Sequence, residues 1–93
     1  MRTIERTTLF RRDFKREAKG PHRGALNVEL REIVDALVSD RPLPARYRDH
    51  ALTGDWKDYR DCHVRPDLVL IYRLIGAGRL ILARLGSHSE LDL

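Results

Sequence analysis

Residues 68–85 have the sequence LVLIYRLIGAGRLILARL, and this stretch decides the fold. Two runs of β-branched, aliphatic and aromatic residues flank a Gly-Ala-Gly centre at 76–78. Such runs are typical of strands, and glycine permits a tight turn between them. We therefore predict two strands over about 67–74 and 79–85, paired antiparallel because the link is short. Their near-continuous apolarity indicates a central position in a sheet or burial on both faces.

A third strand is predicted ahead of this hairpin, over residues 55–63, with Pro66 in the turn that joins it to the next strand. The three strands would form a β-meander. Residues 2–6 could add a short edge strand. Residues 40–53 are expected to form a connecting loop that contains His50, because Pro42 and Pro44 favour extended backbone and exclude a helix.

Two helices are predicted between the edge strand and this loop. Thr7 or Thr8 can cap a helix that runs to about Ala18, with Phe10 and Phe14 on one face and Ala18 continuing it. Gly20-Pro21 ends this helix. A second helix is expected over residues 22–39, where apolar residues recur with the helical period: Leu26, Leu30, Ile33, Val34, Leu37 and Val38.

The order β-α-α-β-β-β predicts an α+β fold. Two N-terminal helices would pack on one face of a small antiparallel β-sheet. The other face, the sheet edges and the loop ends then remain available for function.

The composition predicts a single basic globular domain over residues 1–93. The chain is 42% hydrophobic and 34% charged, and it is too short to divide into two cores. Its net charge is +4, and residues 1–24 hold eight Lys or Arg against three acids. This charge fits a polyanionic or acidic partner, and it equally fits a well-solvated surface.

The single cysteine, Cys62, cannot form an internal disulfide, so a cytosolic (cytoplasmic) protein is expected. The N-terminus has no apolar signal core. The longest apolar run, residues 68–72, is too short to cross a bilayer, so we expect no membrane partner.

Five residues that suit phosphate-ester chemistry lie at the edges of the hydrophobic segments: His50, His63, Asp67, Arg84 and His88. RNA cleavage by the ribose 2′-OH needs a base at the hydroxyl, an acid at the leaving oxygen and positive charge at the phosphorus. His50, His63 or Asp67 could supply the base and His88 the acid. The planar fork of Arg84 matches two phosphate oxygens. No metal or other cofactor is required, because the substrate carries its own nucleophile.

Each of these residues also has a structural interpretation. A histidine in a loop, such as His50, is often solvated, and His22 at a helix start is expected to be a surface residue. Asp67 could cap the turn after Pro66, and Arg84 could be a surface residue of a strand.

The neighbouring aromatic and basic residues leave similar alternatives open. Trp56 and Tyr59 could stack on RNA bases, although packing is the favoured role for Trp56 in a small core. Lys57, Arg60 and Arg65 could contact phosphates or keep a strand soluble. A metal site is disfavoured, since adjacent Cys62 and His63 would point to opposite faces of a strand.

The stretch from Leu43 onward contains a dense set of further motifs, and in order and spacing they resemble the YafQ-type toxins of the RelE-like toxin–antitoxin superfamily. The motifs include Asp49-His50, Leu52-Thr53-Gly54, Tyr59-Arg60-Asp61-Cys62-His63, Pro66-Asp67, Arg84 and Gly86-Ser87-His88-Ser89-Glu90-Leu91. Phe10 and Asp13-Phe14-Lys15 are similar to the family's first helix.

This resemblance implies a microbial-ribonuclease-like α+β fold and a ribosome-dependent mRNA endonuclease. Such an enzyme enters the ribosomal A site, cuts the mRNA there and has ribosomal RNA as a binding partner. By motif, it implies that His88 is the general acid, that Arg84 steadies the phosphate, and that the base role falls to His50, His63 or Asp67.

The resemblance also implies a cognate antitoxin. Such an antitoxin lays an acidic segment over the basic toxin and dimerises through a ribbon–helix–helix part. The assembled complex binds operator DNA through the antitoxin and represses its own operon.

Two positions depart from the family pattern. Leu68 stands where an aromatic often follows the Pro-Asp pair, and Asp92 stands where many members have a terminal aromatic. An aromatic can stack on the substrate, whereas an acid repels phosphate. A weakly active or inactive homologue that serves as an antitoxin-bound corepressor is therefore kept as an alternative. A metal-dependent hydrolase is a third hypothesis, which predicts loss of activity with a chelator.

Overall fold

The computed structural model describes residues 1–93, and its framework is a five-stranded sheet of order β1-β5-β4-β3-β2. The strands are β1 (Thr3–Arg6), β2 (His50–Ala51), β3 (Arg60–Arg65), β4 (Leu68–Ile75) and β5 (Arg79–Gly86). The predicted antiparallel meander is confirmed as β3–β4–β5. The edge strand β1 pairs with β5 in parallel, so the sheet is mixed and not wholly antiparallel.

The β4–β5 hairpin lies where the glycine-rich centre predicts it. Ile75 pairs with Arg79, and Gly76 takes a φ of 55°, a backbone angle that glycine adopts without steric cost. A bulge between Ile71 and Tyr72 shifts the register in the middle of the hairpin. Because β1 ends opposite Leu82, the last residues of β5 have no strand neighbour on that side.

Helix α1 (Thr8–Ala18) begins and ends close to its predicted bounds. The Thr7 hydroxyl accepts a hydrogen bond from the Phe10 amide at 3.0 Å, which makes Thr7 the N-cap. Phe10 and Phe14 share a face as predicted, with ring centroids 6.1 Å apart, but only Phe10 is buried, since Phe14 is 38% exposed and Ala18 is exposed. The buried residues are Phe10, Asp13 and Glu17, and the acids are tolerated because arginines pair with them.

The second predicted helix bends at Val28 into α2 (Arg23–Asn27) and α3 (Glu29–Val38). Val28 is 61% exposed and has a ψ of −78°, so the ladder breaks on the solvent side. Leu26 and Leu30 are both buried on either side of this bend. The apolar stripe is thus confirmed, although the continuous helix over 22–39 is not.

The segment between α3 and β3 holds more structure than the sequence predicts. Two short 3₁₀ turns occupy Ala45–Tyr47 and Gly54–Trp56, and β2 lies between them. The strand predicted over 55–63 therefore begins only at Arg60. Gly54 and Asp58 have positive φ angles, which turn the chain back, and the Leu52 amide donates to the Tyr59 carbonyl at 2.9 Å.

The sheet separates two apolar clusters. The larger cluster lies under the helices and includes Leu68, which is fully buried. The smaller cluster, on the opposite face, consists of Val69, Ile71, Ala83 and Leu91, with Leu52, Trp56 and Tyr59 packed against it. Only short segments cover this opposite face, which we call the open face. None of the helices is both long and apolar enough to span a bilayer.

Candidate active site

Three histidines from distant parts of the chain meet at one end of the open face. His50 lies on β2, His63 on β3, and His88 two residues beyond the end of β5. The ring centroids of His63 and His88 are 5.0 Å apart, and those of His50 and His63 are 6.5 Å apart. His50 and His88 are exposed and His63 is half-buried, so the cluster borders solvent.

The sheet register explains why these residues converge. His63 pairs with Val69, and Val69 pairs with Gly86, which places the start of the His88 segment in the same row. Two residues along the strands, and so on the same face, His50 pairs with Asp61, Asp61 with Ile71, and Ile71 with Arg84.

The carboxylate at the centre of the cluster is Asp61, which the sequence reasoning did not select. Asp61 is only 3% exposed, and its Oδ1 lies 3.0 Å from Nε2 of His50. The approach is not aligned for a hydrogen bond, so this oxygen has no directional partner. Asp61 and His63 are two apart on a strand and share a face, and that alternation could have singled it out.

Burial raises the pKa of the Asp61 carboxyl, against the opposing positive charges of His50, His63 and His88. The cause is desolvation, since a buried carboxylate loses hydration that one unaligned neighbour does not replace. Asp61 is therefore a carboxyl group whose proton can be exchanged with nearby imidazoles.

The ring of His50 has a defined orientation. Its Nδ1 lies 2.9 Å from the carbonyl oxygen of Arg48, and because a carbonyl can only accept, Nδ1 must carry a proton. Nε2, which faces Asp61, then carries a proton only in the imidazolium form. The contact between His50 and Asp61 is therefore attractive when the imidazolium faces the carboxylate, although the two groups are not aligned for a hydrogen bond.

Asp49 fixes the loop that carries His50. Its carboxylate accepts hydrogen bonds from the Tyr72 hydroxyl and from Arg60 Nε and Nη2 at 3.3 and 3.2 Å. Burial and the hydrogen bond to Asp49 raise the pKa of Tyr72, so its hydroxyl stays protonated and donates. This anchor ties the loop to β3 and β4.

His63 is suited to accept a proton. Burial lowers the pKa of His63, the charges of His88, Arg48 and His50 lower it further, and Asp61 opposes the change. The imidazole is therefore neutral around neutral pH, the form that a general base requires.

Asp67 lies apart from these contacts. It occupies the β3–β4 turn with 73% of its side chain exposed, and its Oδ2 lies 3.2 Å from Nε2 of His22. His22, which is expected to be a surface residue, is largely covered, since only 17% of its side chain is exposed. A catalytic role for Asp67 stays a prediction.

Arg84 is held by α1. Its Nε and Nη2 donate to Asp13 at 2.7 and 3.1 Å, and 22% of the side chain is exposed. This pairing uses one edge of the guanidinium and leaves the Nη1 hydrogens for another acceptor. By strand spacing, the Arg84 backbone lies roughly 10 Å from that of Asp61, two strands away.

The predicted RNA-contacting residues differ in their surroundings. Lys57 is exposed, whereas Arg60 is paired with Asp49 and Arg65 with Glu29 at 3.2 Å. Trp56 and Tyr59 are half-buried, meet edge to face with ring centroids 5.2 Å apart, and pack on the open-face cluster. Packing therefore accounts for most of the surface of both aromatics.

A depression of about 480 Å³ adjoins the histidines, with these residues around it: His50, Leu52, Thr53, Asp55, Trp56, Asp61, His88, Asp92 and Leu93. Asp92, where the family pattern often has an aromatic, thus lines the site. A larger depression of about 670 Å³ lies on the helix side of the molecule, far from this chemistry. We call it the helix groove.

No group of three or more His, Cys, Asp or Glu side chains is arranged to hold a metal ion. Cys62 is fully buried, and burial raises the pKa of its thiol, so no thiolate is offered at the site. The histidines and Asp61 therefore place imidazoles and one buried carboxyl at this end of the open face, and such groups suit proton transfer beside an anionic substrate.

Comparison with known proteins places the chain in one family. Residues 2–93 match the family model described as the bacterial toxin of the type II toxin–antitoxin system, YafQ. A protein of Escherichia coli strain B/BL21-DE3, named mRNA interferase toxin YafQ, is 41% identical over 91 residues, or 97% of this chain and 95% of the relative.

Solved structures agree. The crystal structure of YafQ from E. coli BL21(DE3) has a TM-score of 0.84 at 38% identity and covers 98% of both chains. YafQ in the E. coli DinJ–YafQ toxin–antitoxin complex has a TM-score of 0.83 at 40% identity, covering 97% of this chain and 96% of that one. The chain therefore belongs to the YafQ family of toxins of type II toxin–antitoxin systems.

Proposed function

We propose that this toxin is a ribosome-dependent mRNA endonuclease that uses metal-free acid–base catalysis. The observation that carries the proposal is the convergence of His50, His63 and His88 around the buried carboxyl of Asp61 on the open face of a basic protein. The E. coli relatives named mRNA interferases support RNA as the substrate class.

In the proposed reaction, neutral His63 removes the proton of a ribose 2′-OH. The 2′-oxygen attacks the adjacent phosphorus, and the bond from phosphorus to the 5′-oxygen breaks. Protonated His88 donates its proton to that leaving oxygen. The products are a 2′,3′-cyclic phosphate and a free 5′-hydroxyl, so no external water or metal enters the balance.

The remaining groups would supply charge and orientation. The contact between His50 and Asp61 would keep the histidine cluster in place. The Nη1 hydrogens of Arg84, which its pairing with Asp13 does not use, would donate to the non-bridging phosphate oxygens. Lys57 is an exposed cation that could contact the RNA backbone. Arg60 and Arg65 would have to share their guanidinium groups with Asp49 and Glu29.

The proposal is tested by inducible expression with mapping of mRNA 5′ ends, using wild-type protein, His88→Ala and His22→Ala. We expect new 5′-hydroxyl ends in frame within translated regions for the wild type and for His22→Ala. His88→Ala should lose about 10²-fold or more in cutting, the usual contribution of a general acid. Soluble wild-type protein that produces no new ends would refute the nuclease.

A second arm tests ribosome dependence. Purified protein should cut an mRNA bound to the ribosome and leave the same naked mRNA intact, because the ribosome would hold the strand in the reactive geometry. Equal cutting of both substrates would make this a free ribonuclease. Loss of cutting with a chelator, at fixed ribosome integrity, would instead favour the metal-dependent hydrolase.

For regulation, we propose an antitoxin with an acidic segment that lies on the helix groove. Apolar side chains, including Phe14, Leu30 and Val34, line this groove, and Arg6, Arg11, Lys15 and Arg31 surround it with positive charge. An acidic amphipathic segment complements both features. The ribbon–helix–helix part of that antitoxin would bind operator DNA, and the toxin would reach DNA only through it. Phe14→Glu should weaken the complex with the cognate antitoxin and leave mRNA cutting unchanged.

One observation favours the alternative of a weakly active corepressor. Asp92 lines the site, and a negative charge at this position would repel a phosphate. Normal growth on strong expression of soluble protein, together with operon repression that requires the antitoxin complex, would select this alternative.

A further inference from the structure

Asp13 of α1 is a buried carboxylate that faces the end of β5. It is 3% exposed, yet all of its hydrogen-bonding capacity is used. Oδ2 accepts from Arg84 Nε at 2.7 Å and from the Leu85 amide at 3.0 Å, and Oδ1 accepts from Arg84 Nη2 and Arg16 Nη1. Asp13 thus takes the place of the missing strand neighbour of β5 and fixes both Arg84 and the backbone that follows it.

Arg16, one helical turn further along α1, continues this connection. Its Nη2 donates to the Leu85 carbonyl at 2.8 Å, and its Nε lies 3.2 Å from Oε2 of Glu90. The guanidinium passes directly over Gly86, where a Cβ would approach Nη2 to 2.9 Å and Glu90 Oε1 to 3.2 Å. A Cβ at position 86 would therefore displace the ends of the Arg16 and Glu90 side chains from these places.

Glu90 closes a short turn that contains His88. Its Oε1 accepts from the Ser87 amide at 2.9 Å, and its own amide donates to the Ser87 hydroxyl at 3.1 Å. This reciprocal pair fixes the backbone on both sides of His88. The chain of contacts from Asp13 through Arg16 to Glu90 and Ser87, which we call the α1 strap, therefore connects α1 to the proposed general acid.

We propose that Asp13 and Arg16 are positioning residues for RNA cleavage, which set the places of Arg84 and His88 through the α1 strap. This inference rests on the proposed nuclease function. Neither residue would touch the reacting atoms. Their effect is geometric, because small displacements of an acid or a phosphate clamp reduce the rate strongly.

The test compares Asp13→Asn and Gly86→Ala with the control Asp40→Asn. Asp13→Asn removes the charge that holds both arginines. Gly86→Ala removes no charged group and displaces only the Arg16 and Glu90 side chains from their path. Asp40→Asn removes an arginine partner elsewhere, that of Arg2 Nε at 2.8 Å, and asparagine tolerates the φ of 54° there.

Two measurements separate positioning from folding. The first is single-turnover cleavage of ribosome-bound mRNA, with the maximal rate and the half-saturating ribosome concentration determined separately. The second is the NMR resonance of the His88 ring in free protein. We expect Asp13→Asn and Gly86→Ala to lower the maximal rate by about 10- to 100-fold, to leave half-saturation unchanged, and to shift the His88 resonance. Asp40→Asn should match the wild type in all three.

The inference is overturned if both strap variants cleave at the rate of Asp40→Asn, or if their loss only follows the unfolded fraction. Should Asp13→Asn fail to fold, Gly86→Ala decides alone. Wild-type protein that does not cleave at all would refute the proposed function, and the His88 resonance would still report whether the strap positions this residue.

Discussion

At the scale of single residues, the burial of Asp61 lowers the stability of the protein, although the same burial places this carboxyl within the proposed site. Its raised pKa means that ionisation opposes folding: the cost is absent at low pH and appears as the pH rises through the raised value. A buried carboxyl with one oxygen that lacks an aligned hydrogen bond destabilises the folded state of a protein of this size. We propose that the negative charge of Asp61 acts on the surrounding imidazoles, which it helps to orient.

We predict that Asp61→Asn lowers cleavage at least ~10-fold, because the His50–Asp61 pair no longer orients the cluster. At neutral pH it should leave the melting temperature unchanged or raise it, since the ionisation cost is gone. The Asp61 charge raises the pKa of His63, so its removal should move the acid limb of the pH–rate profile to lower pH.

The control for this prediction is Asp67→Asn, which removes a carboxylate that contacts only His22. It should leave the acid limb in place. A greater loss of cleavage for Asp67→Asn than for Asp61→Asn would return the carboxylate role to Asp67.

Asp92 gives a prediction of the opposite sign. Asp92 lines the depression beside the histidines, and asparagine fits its positive φ of 59° without added strain. Asp92→Asn should increase cleavage at subsaturating substrate by roughly two- to fivefold, the range of an exposed and screened charge interaction. The gain should shrink as salt is added, and a gain independent of salt would indicate another cause.

At the scale of elements, the sequence predicts those parts whose burial follows a simple period. Alternation and apolar runs predict β4 and β5, and the helical stripe through Leu30, Ile33 and Leu37 predicts α3. The two-residue strand β2 has no such period, and it exists only because His50 and Ala51 meet β3 in space. The alternation of Asp61 with His63 marks a shared strand face, but the burial of Asp61 beside His50 follows only from the non-local pairing of β2 with β3.

Capping of α1 is testable at this scale. The Thr7 hydroxyl accepts from the Phe10 amide and donates to the Ala83 carbonyl at 2.8 Å, so it joins the helix start to β5. Thr7→Ala should lower the free energy of unfolding by about 1–2 kcal/mol in urea titration. Thr8→Ala, at the exposed next position, is the control and should change stability little. Equal effects of the two variants would argue against the cap.

At the scale of the whole molecule, the sheet separates two proposed sites. The sequence alone does not distinguish them, because its basic residues serve both interpretations. The proposed nuclease site lies on the open face, and the helix groove with its basic residues lies on the other. A partner in the helix groove therefore need not touch the histidines. It can still prevent cleavage if the same positive surface is needed to bind the ribosome.

The net charge of +4 leads to a salt prediction. Ribosome affinity should fall at least ~10-fold between 50 and 200 mM salt, as expected when even a few phosphate contacts release counterions. The maximal single-turnover rate should remain nearly constant, because bound geometry is screened much less. If the maximal rate falls together with the affinity, salt acts on the chemical step and not on ribosome binding alone.

The burial of Leu91 on the open face has a consequence for how this toxin can be inactivated. Its side chain is 3% exposed and packs against Val69, Ile71 and Ala83, and the Leu93 amide donates to the His88 carbonyl at 2.9 Å. Loss of residues 91–93 would remove the cover from this patch and free the His88 segment, at a cost of roughly 2–4 kcal/mol for the leucine alone. Loss of these contacts would then inactivate the proposed nuclease and leave its sheet and helices intact.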